Sequence, residues 1–328
     1  MIVPNVVLAG VRKCGTTSVF EWLSAHPTVA TSPAKGTEFL MDRDSPYFNP
    51  RSNYHQHGLA GYSAYFRDQR DKQVRLDATT RYLDQNTARN VLAQLDPQPH
   101  VVFVLREPAG RLFSLFRYEK NNRRRIAPHA RFTDFVQALS DERVVVPASA
   151  RPELDTEQQR EWHDMVAEFA HSRYVEYLLP WKALFRPDRL HVYLLENLER
   201  DARCFMETLA RDIGIDPEFY RGRRLVVRNR SVDVRSPAIH HVVRRLAPVM
   251  PRNRVTRALY GQYLRLQDSG TARVTAEERE ALTQLRSHYR SYNERLAHEF
   301  ALDLAPWDAG ALRPATTDAR APGPAGMP

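Results

Sequence analysis

The chain has 328 residues, 42% hydrophobic and 10% aromatic, enough for one large α/β domain or two small ones, and wholesale disorder is excluded. Its formal charge is +9, and all but five of its 48 basic side chains are arginine, which grips phosphate and sulfate bidentately and does not titrate away. Two cysteines, Cys14 and Cys204, exclude a disulfide framework and a four-thiolate zinc site, and no apolar run nears the roughly 20 residues that cross a bilayer. A reducing, cytoplasmic setting and an anionic partner are therefore expected.

Ile2–Ala9 is apolar and β-branched without alternation, as a parallel strand buried on both faces requires. Gly10–Gly15 reads as a loop. Thr16–Ala25 reads as a helix with Val19, Phe20 and Leu23 on one face, closed by His26-Pro27. Thr28–Thr31 is a short strand, and the polar stretch Ser32–Lys72 is predicted as a long connection outside the core. Val101–Leu105 is the second clear core strand, and a helix runs from Pro108 to about Asn121. Asn122–Pro152, with Arg123–Arg125, reads as an insertion. Helices over Glu161–His171 and Tyr174–Phe185, a strand at Leu190–Leu195 and a helix at Arg200–Ile213 continue the alternation. That pattern predicts an α/β fold with a central parallel sheet flanked by helices, and the C-terminal part is helical, most clearly over Thr275–Phe300. One domain is expected over 1–307, with a disordered Pro/Gly/Ala-rich tail over 308–328.

The most informative segment is strand, Gly10-Val11-Arg12-Lys13-Cys14-Gly15-Thr16-Thr17-Ser18, helix. Backbone N–H groups and a helix dipole converge there on an anion, and glycines let the main chain approach it. The glycine spacing fits the P-loop of nucleoside-triphosphatases, G-x-x-x-x-G-K-[ST], but Thr16 occupies the lysine position and Lys13 lies inside the loop. That departure points away from an ordinary ATPase or kinase.

The loop resembles the 5′-phosphosulfate loop, K-x-G-T-T/S, of sulfotransferases that use 3′-phosphoadenosine 5′-phosphosulfate (PAPS), in particular their bacterial and Golgi-type branch. The resemblance implies a P-loop-like three-layer fold. It also implies that Lys13 contacts the phosphosulfate and stabilises the leaving phosphate. Gly15, Thr16 and Thr17 supply N–H and hydroxyl donors, Ser18 assists, and Arg12 and Cys14 complete the donor loop. The family's second signature is a strand, R-[DE]-P, and a serine eight residues after the arginine. Here it is Arg106-Glu107-Pro108 and Ser114, which the resemblance assigns to the 3′-phosphate, and Arg111 matches an arginine often found inside that motif. Arg106 leaves the carboxyl end of a parallel strand, where open α/β sheets bind ligands. Arg228 and Arg230, in a basic loop, are further candidates for closing over the nucleotide. Tyr174–Phe185, Leu190–Asn197 and the helix ending at Gly214 resemble further family elements that are mostly core, so the likeness spans Ile2 to Trp307.

On the acceptor side the family carries K-E-x-x-F-F with its Glu as general base. This chain has Lys35-Gly36-Thr37-Glu38-Phe39-Leu40, so Gly36 stands at the Glu position. Residues i and i+2 share a face in an extended segment, and Glu38 is the expected substitute base. His26, His55, His57 and Asp77 are alternatives, and Lys35 fits the family lysine that stabilises the transferring group. Asp77, Thr79 and Tyr82 resemble the family segment lining the acceptor pocket, and Tyr47–Tyr65 and Asn121–Pro152 are expected to shape acceptor choice.

The reading is sulfuryl transfer to a hydroxyl or amine of a small molecule, lipid or glycan, without a metal, nucleic-acid partner or transmembrane segment. The alternatives are a P-loop-type nucleotide kinase and a nucleotide- or nucleic-acid-binding protein without catalysis. Arg106 stands where a kinase's acidic strand end belongs, and no nucleic-acid-binding signature is present.

Overall fold

The computed structural model describes residues 2–123, 126, 130–140, 167–225 and 274–312. Five strands, β1 (Val6–Gly10), β2 (Val29–Thr31), β3 (Val74–Asp77), β4 (His100–Leu105) and β5 (Leu190–Leu194), form one parallel sheet in the order β2-β3-β1-β4-β5. Every residue of β1 is buried, and only His100 of β4 is not, which explains why both read as unbroken apolar runs. After β3 the chain crosses β1 to begin β4 on its other side. The carboxyl ends of β1 and β4 therefore flank the point where strand order reverses, which is where such sheets open a crevice.

The flanking helices are α1 (Thr16–Ser24), α2 (Tyr54–Ala64), α3 (Asn86–Ala93), α4 (Pro108–Arg117), α5 (Phe132–Ser140), α6 (Tyr174–Leu184), α7 (Leu195–Arg200), α8 (Ala202–Asp212), α9 (Ala276–Phe300) and α10 (Ala305–Leu312). α9 starts on a capping box, Thr275 and Glu278 each accepting the other's backbone N–H. It packs on α4, α5 and α6, where Leu282, Leu285 and Tyr289 meet Leu112, Phe116 and Phe132 in a second core cluster. Among the described residues no helix is long and apolar enough to cross a membrane.

Several expectations change. Ser32–Lys72 is not a purely polar connection, because Phe39, Leu40, Met41, Tyr62 and Phe66 are all buried and α2 lies within it. β3 and α3 went unread. The helix after Pro108 gives way at Tyr118 to a π-helical turn, Tyr118–Arg123. The helix expected over Arg200–Ile213 is α8, which starts at Ala202 after Asp201, whose carboxylate accepts the N–H groups of Arg203 and Cys204, while the short α7 before it was not expected. Of the tail expected from Asp308, residues 308–312 belong to α10 and the rest lies outside the described residues. Of the helix expected over Glu161–His171, residues 167–171 are described and helical.

Candidate active site

Gly15 closes the loop after β1 with φ of 73°, and a Cβ there would lie 2.6 Å from Leu195 Cδ1, so this position is closed to side chains. Lys13 also has positive φ, 67°, a conformation costly enough to mark a functional loop. Its Nζ lies 4.0 Å from the ring centroid of Tyr118, the first residue of the π-helical turn. Lys35 Nζ donates to Thr17 Oγ1 at 3.0 Å and to Thr16 Oγ1 at 3.4 Å, placing a second ammonium over the first turn of α1. Thr16, Ser18 and Cys14 are buried, and burial pushes the Cys14 thiol up to about 12, which keeps it protonated and unreactive.

Arg106 follows β4 directly, and Val11 N–H donates to the Val104 carbonyl at 3.0 Å, tying the loop after β1 to the end of β4. Glu107 caps α4 by accepting the N–H groups of Ala109 and Gly110. Glu196 braces the same corner: its Oε1 accepts the Glu107 N–H at 3.0 Å and its Oε2 the Trp307 indole N–H at 2.9 Å. Ser114 is buried on α4. Among the described residues no carboxylate lies within ion-pair distance of Lys13, Lys35 or Arg106. Burial, together with the positive charges of Arg106 and Arg12, lowers the Lys13 ammonium to about 8, and burial lowers Lys35 to about 8 against the pull of Glu21. Lys13, Lys35 and Arg106 thus stand as candidate anion-binding cations.

Arg12 has a different task. Its Nη1 donates to Glu168 Oε1 at 3.0 Å and its Nη2 lies 3.7 Å from Glu119 Oε1, which turns the guanidinium to carboxylates. Glu168 also accepts from Arg111, which is wholly buried on α4 and further donates to Ser172 Oγ at 2.7 Å. Burial alone would raise the Glu168 carboxyl, but Arg111 and Arg12 overcome it and hold it down at about 2. This pair of ion bridges joins the loop after β1 to α4. Glu168, Glu119 and Tyr118 carried no sequence signal. Arg12 and Arg111 are marked, by their places in the first and second motifs.

The acceptor-side residues separate into a buried frame and a partly open pair. Asp77, Thr79 and Tyr82 are all at most 1% exposed. Asp77 accepts from Thr37 Oγ1, Thr79 Oγ1 and the Tyr62 hydroxyl, each at 2.7 Å, and from two backbone N–H groups. They are placed to hold the Lys35–Leu40 loop, and the expectation that they contact an acceptor is replaced by this positioning. Gly36 fits against that frame: a Cβ would lie 2.9 Å from both Thr79 Cα and Thr79 Oγ1. Glu38 has φ of 50° and its Oε1 pairs with Arg81 Nη1 at 2.6 Å, while Arg81 stacks on Tyr47 at 3.6 Å. The alternative bases are engaged: His26 is buried on the Asp216 carbonyl, His55 meets Thr87 Oγ1 and His57 the Arg51 carbonyl. Arg228 and Arg230 lie outside the described residues, as do Arg124 and Arg125.

A cavity of about 340 Å³ opens beside this frame, its wall including Val11, Arg12, Tyr47, Asp84, Glu168 and His171. Among the described residues no group of His, Cys, Asp and Glu is arranged to hold a metal ion.

The five-stranded parallel sheet thus carries a glycine-closed loop after its first strand and a basic motif after the neighbouring β4, at the point where strand order reverses. The family model described as a sulfotransferase domain matches residues 3–234, and the chain belongs to that family, enzymes that move sulfuryl groups. It is 22% identical over 218 residues to the bifunctional heparan sulfate N-deacetylase/N-sulfotransferase 4 of Mus musculus, covering 66% of this chain and 23% of that protein. The human N-deacetylase/N-sulfotransferase 3 is 23% identical over 224 residues, with the same coverages. The chain thus matches less than a quarter of these relatives' length. A solved sulfotransferase from Alicyclobacillus acidocaldarius shares the fold, with a TM-score of 0.60 at 16% identity over 94% of this chain and 100% of that one.

Two outcomes follow from this geometry. Gly36→Glu, which puts the family residue back, overpacks against Thr79 and costs about 1–3 kcal/mol in urea denaturation without raising activity. A variant as stable as the parent contradicts the close fit. Glu168→Gln leaves two guanidinium groups facing a neutral amide and costs about 3 kcal/mol; a loss under about 1 kcal/mol means the bridge is not structural.

Proposed function

We propose that the protein transfers the sulfuryl group of PAPS to an amine or hydroxyl of a glycan, lipid or small-molecule acceptor. The observation that carries this is the uncompensated pair Lys13 and Arg106, at the carboxyl ends of neighbouring strands. One pole suits a 5′-phosphosulfate on the Gly15–Ser18 turn, and the other suits a 3′-phosphate beside Arg106 and Ser114. A nucleotide with anions at both ends satisfies both poles, and one with a single phosphate chain leaves Arg106 unpaired. The relatives' names, heparan sulfate N-sulfotransferases, favour an amine-bearing glycan as acceptor. Two free thiols, one buried and one exposed, suit a reducing compartment and on that ground a cytoplasmic location.

In this mechanism the N–H groups at the start of α1 and Lys13 fix the 5′-phosphate and neutralise the oxygen that departs with it. Lys35, held over α1 by Thr16 and Thr17, neutralises the equatorial sulfuryl oxygens as the acceptor's lone pair attacks sulfur in line. The S–O bond to phosphate breaks, the bisphosphate leaves, and the acceptor's proton passes to a base on the acceptor side. Tyr118 beneath Lys13 keeps the ammonium turned toward the loop.

The test is transfer of labelled sulfate from PAPS to glucosamine and to de-N-sulfated heparin. Lys13→Ala is expected to lower kcat by about 10²–10³-fold, the scale of a lost transition-state charge donor. Retention of the parental kcat would sink the assignment. The pH dependence has a definite sign. Lys13 and Lys35 bind anions as cations, so affinity for adenosine 3′,5′-bisphosphate is full about a unit or more below 8 and falls as pH rises through about 8. Calorimetric affinities that stay level from pH 7 to 9.5 contradict this.

A further inference from the structure

The cavity that borders the loop after β1 holds a side-chain pair that no part of the mechanism above uses. His171 and Asp84 stand together on its wall, with His171 Nε2 3.4 Å from Asp84 Oδ2. Asp84 is held in turn by Gln85 Nε2 at 2.9 Å, and Tyr177 packs its ring against the imidazole edge-on, centroids 5.1 Å apart. The ring is thus oriented from two sides, while His171 and Asp84 keep side-chain exposures of 16% and 30%. With Nε2 turned to the carboxylate, Nδ1 of the neutral ring carries the free lone pair, and among the described residues nothing hydrogen-bonds to it. This is the arrangement of a general base with its orienting carboxylate.

The position fits the chemistry. Val11 and Arg12 belong to the loop proposed to hold the phosphosulfate, and both border the same cavity. His171 follows Glu168 by one helical turn, and Glu168 is bonded to Arg12, so the imidazole is anchored to the loop through one ion pair. Glu38, by contrast, does not line this cavity, and its carboxylate is committed to Arg81.

We infer that this cavity seats the acceptor and that His171, oriented by Asp84, is the base that receives its proton. The inference rests on the sulfotransferase reading. As the acceptor's nitrogen or oxygen forms its bond to sulfur and the S–O bond to phosphate breaks, the N–H or O–H proton moves to His171 Nδ1. The imidazolium is then stabilised by Asp84 and gives the proton to water. The groups facing the ring are Asp84, Glu168 and Tyr177, with Arg111 opposing protonation from α4. Burial would lower this imidazole, but the hydrogen bond to Asp84 and its charge outweigh that and raise it above the ordinary 6.5. Only the neutral ring accepts a proton, so the rate falls as pH drops through this raised value.

The experiment measures labelled sulfate leaving PAPS with glucosamine, or water alone, as acceptor, in the full chain and in H171Q, H171A, D84N and E38Q. Thermal stabilisation by adenosine 3′,5′-bisphosphate reports in parallel whether each variant is folded with an intact donor site. H171Q is expected to lose about 10²–10⁴-fold in kcat, the usual contribution of a general base, while keeping bisphosphate stabilisation. Added imidazole is expected to restore part of the rate in H171A, D84N to move the acid limb of the pH profile to lower pH, and E38Q to stay within about twofold of the parent. Parental turnover in H171Q, or loss of turnover in E38Q with H171Q active, overturns the inference. Failure of the parental chain to be stabilised by the bisphosphate overturns the underlying sulfotransferase reading instead.

Discussion

Everything in this molecule that bears on chemistry depends on bringing like charges together at the carboxyl ends of β1 and β4. Burial strips water from the Lys13 ammonium, and the neighbouring Arg106 and Arg12 guanidinium groups repel it, so that it is lowered to about 8. A protein that only needed to fold would have put a carboxylate between them. The corner keeps its uncompensated charge because the surrounding structure fixes it: β1 and β4 are buried and paired, with a register shift between Leu8 and Gly10, and Val11 is bonded to Val104. On the proposed reading, an anion that binds there would offset this cost.

The supporting frame shows how a chain with 48 basic side chains sorts them. Arg12 and Arg111 are spent on Glu168 and act as struts between the loop and α4. Arg81 is shared between Glu38 and Tyr47. Arg106 alone among these is left without a carboxylate. Total charge therefore says little about the ligand, and what matters is which cations are denied a partner. Asp77 illustrates the complementary rule: a wholly buried carboxylate is satisfied by hydroxyl and backbone donors, and so becomes a fixed point around which the Lys35–Leu40 loop is folded.

Much of this was legible before any coordinates. β1, its loop and α1 form a continuous segment, as do β4, Arg106-Glu107-Pro108 and α4, so burial pattern and motif fall in one window of sequence. The acceptor side was harder to read for physical reasons. β3 is only Val-Arg-Leu-Asp, too short for a periodic signal, and Phe39, Tyr62 and Phe66 enter the core from a stretch dominated by polar residues. Asp77, Thr79 and Tyr82 were found as a motif, but whether such residues face a ligand or hold a loop is decided by packing, which spacing does not encode. Glu168 is 156 residues from Arg12, and His171 meets Asp84 only because 167–171 pack against the turn after β3. Gly36 is visible in sequence as a departure from the K-E-x-x-F-F pattern, but the close approach of Thr79, which leaves no room for a Cβ there, is set by packing.

The central claim is that Lys13 and Arg106 read two separate anionic ends of one nucleotide. Isothermal titration of the full chain with adenosine 3′,5′-bisphosphate, adenosine 5′-monophosphate and ATP–Mg²⁺ tests it most directly, repeated with Arg106→Ala. The account predicts that the bisphosphate binds at least about tenfold more tightly than the monophosphate, a difference of about 1.4 kcal/mol, and that Arg106→Ala erases that margin. Equal affinities for the two adenosine phosphates, or tighter binding of ATP–Mg²⁺, would contradict it.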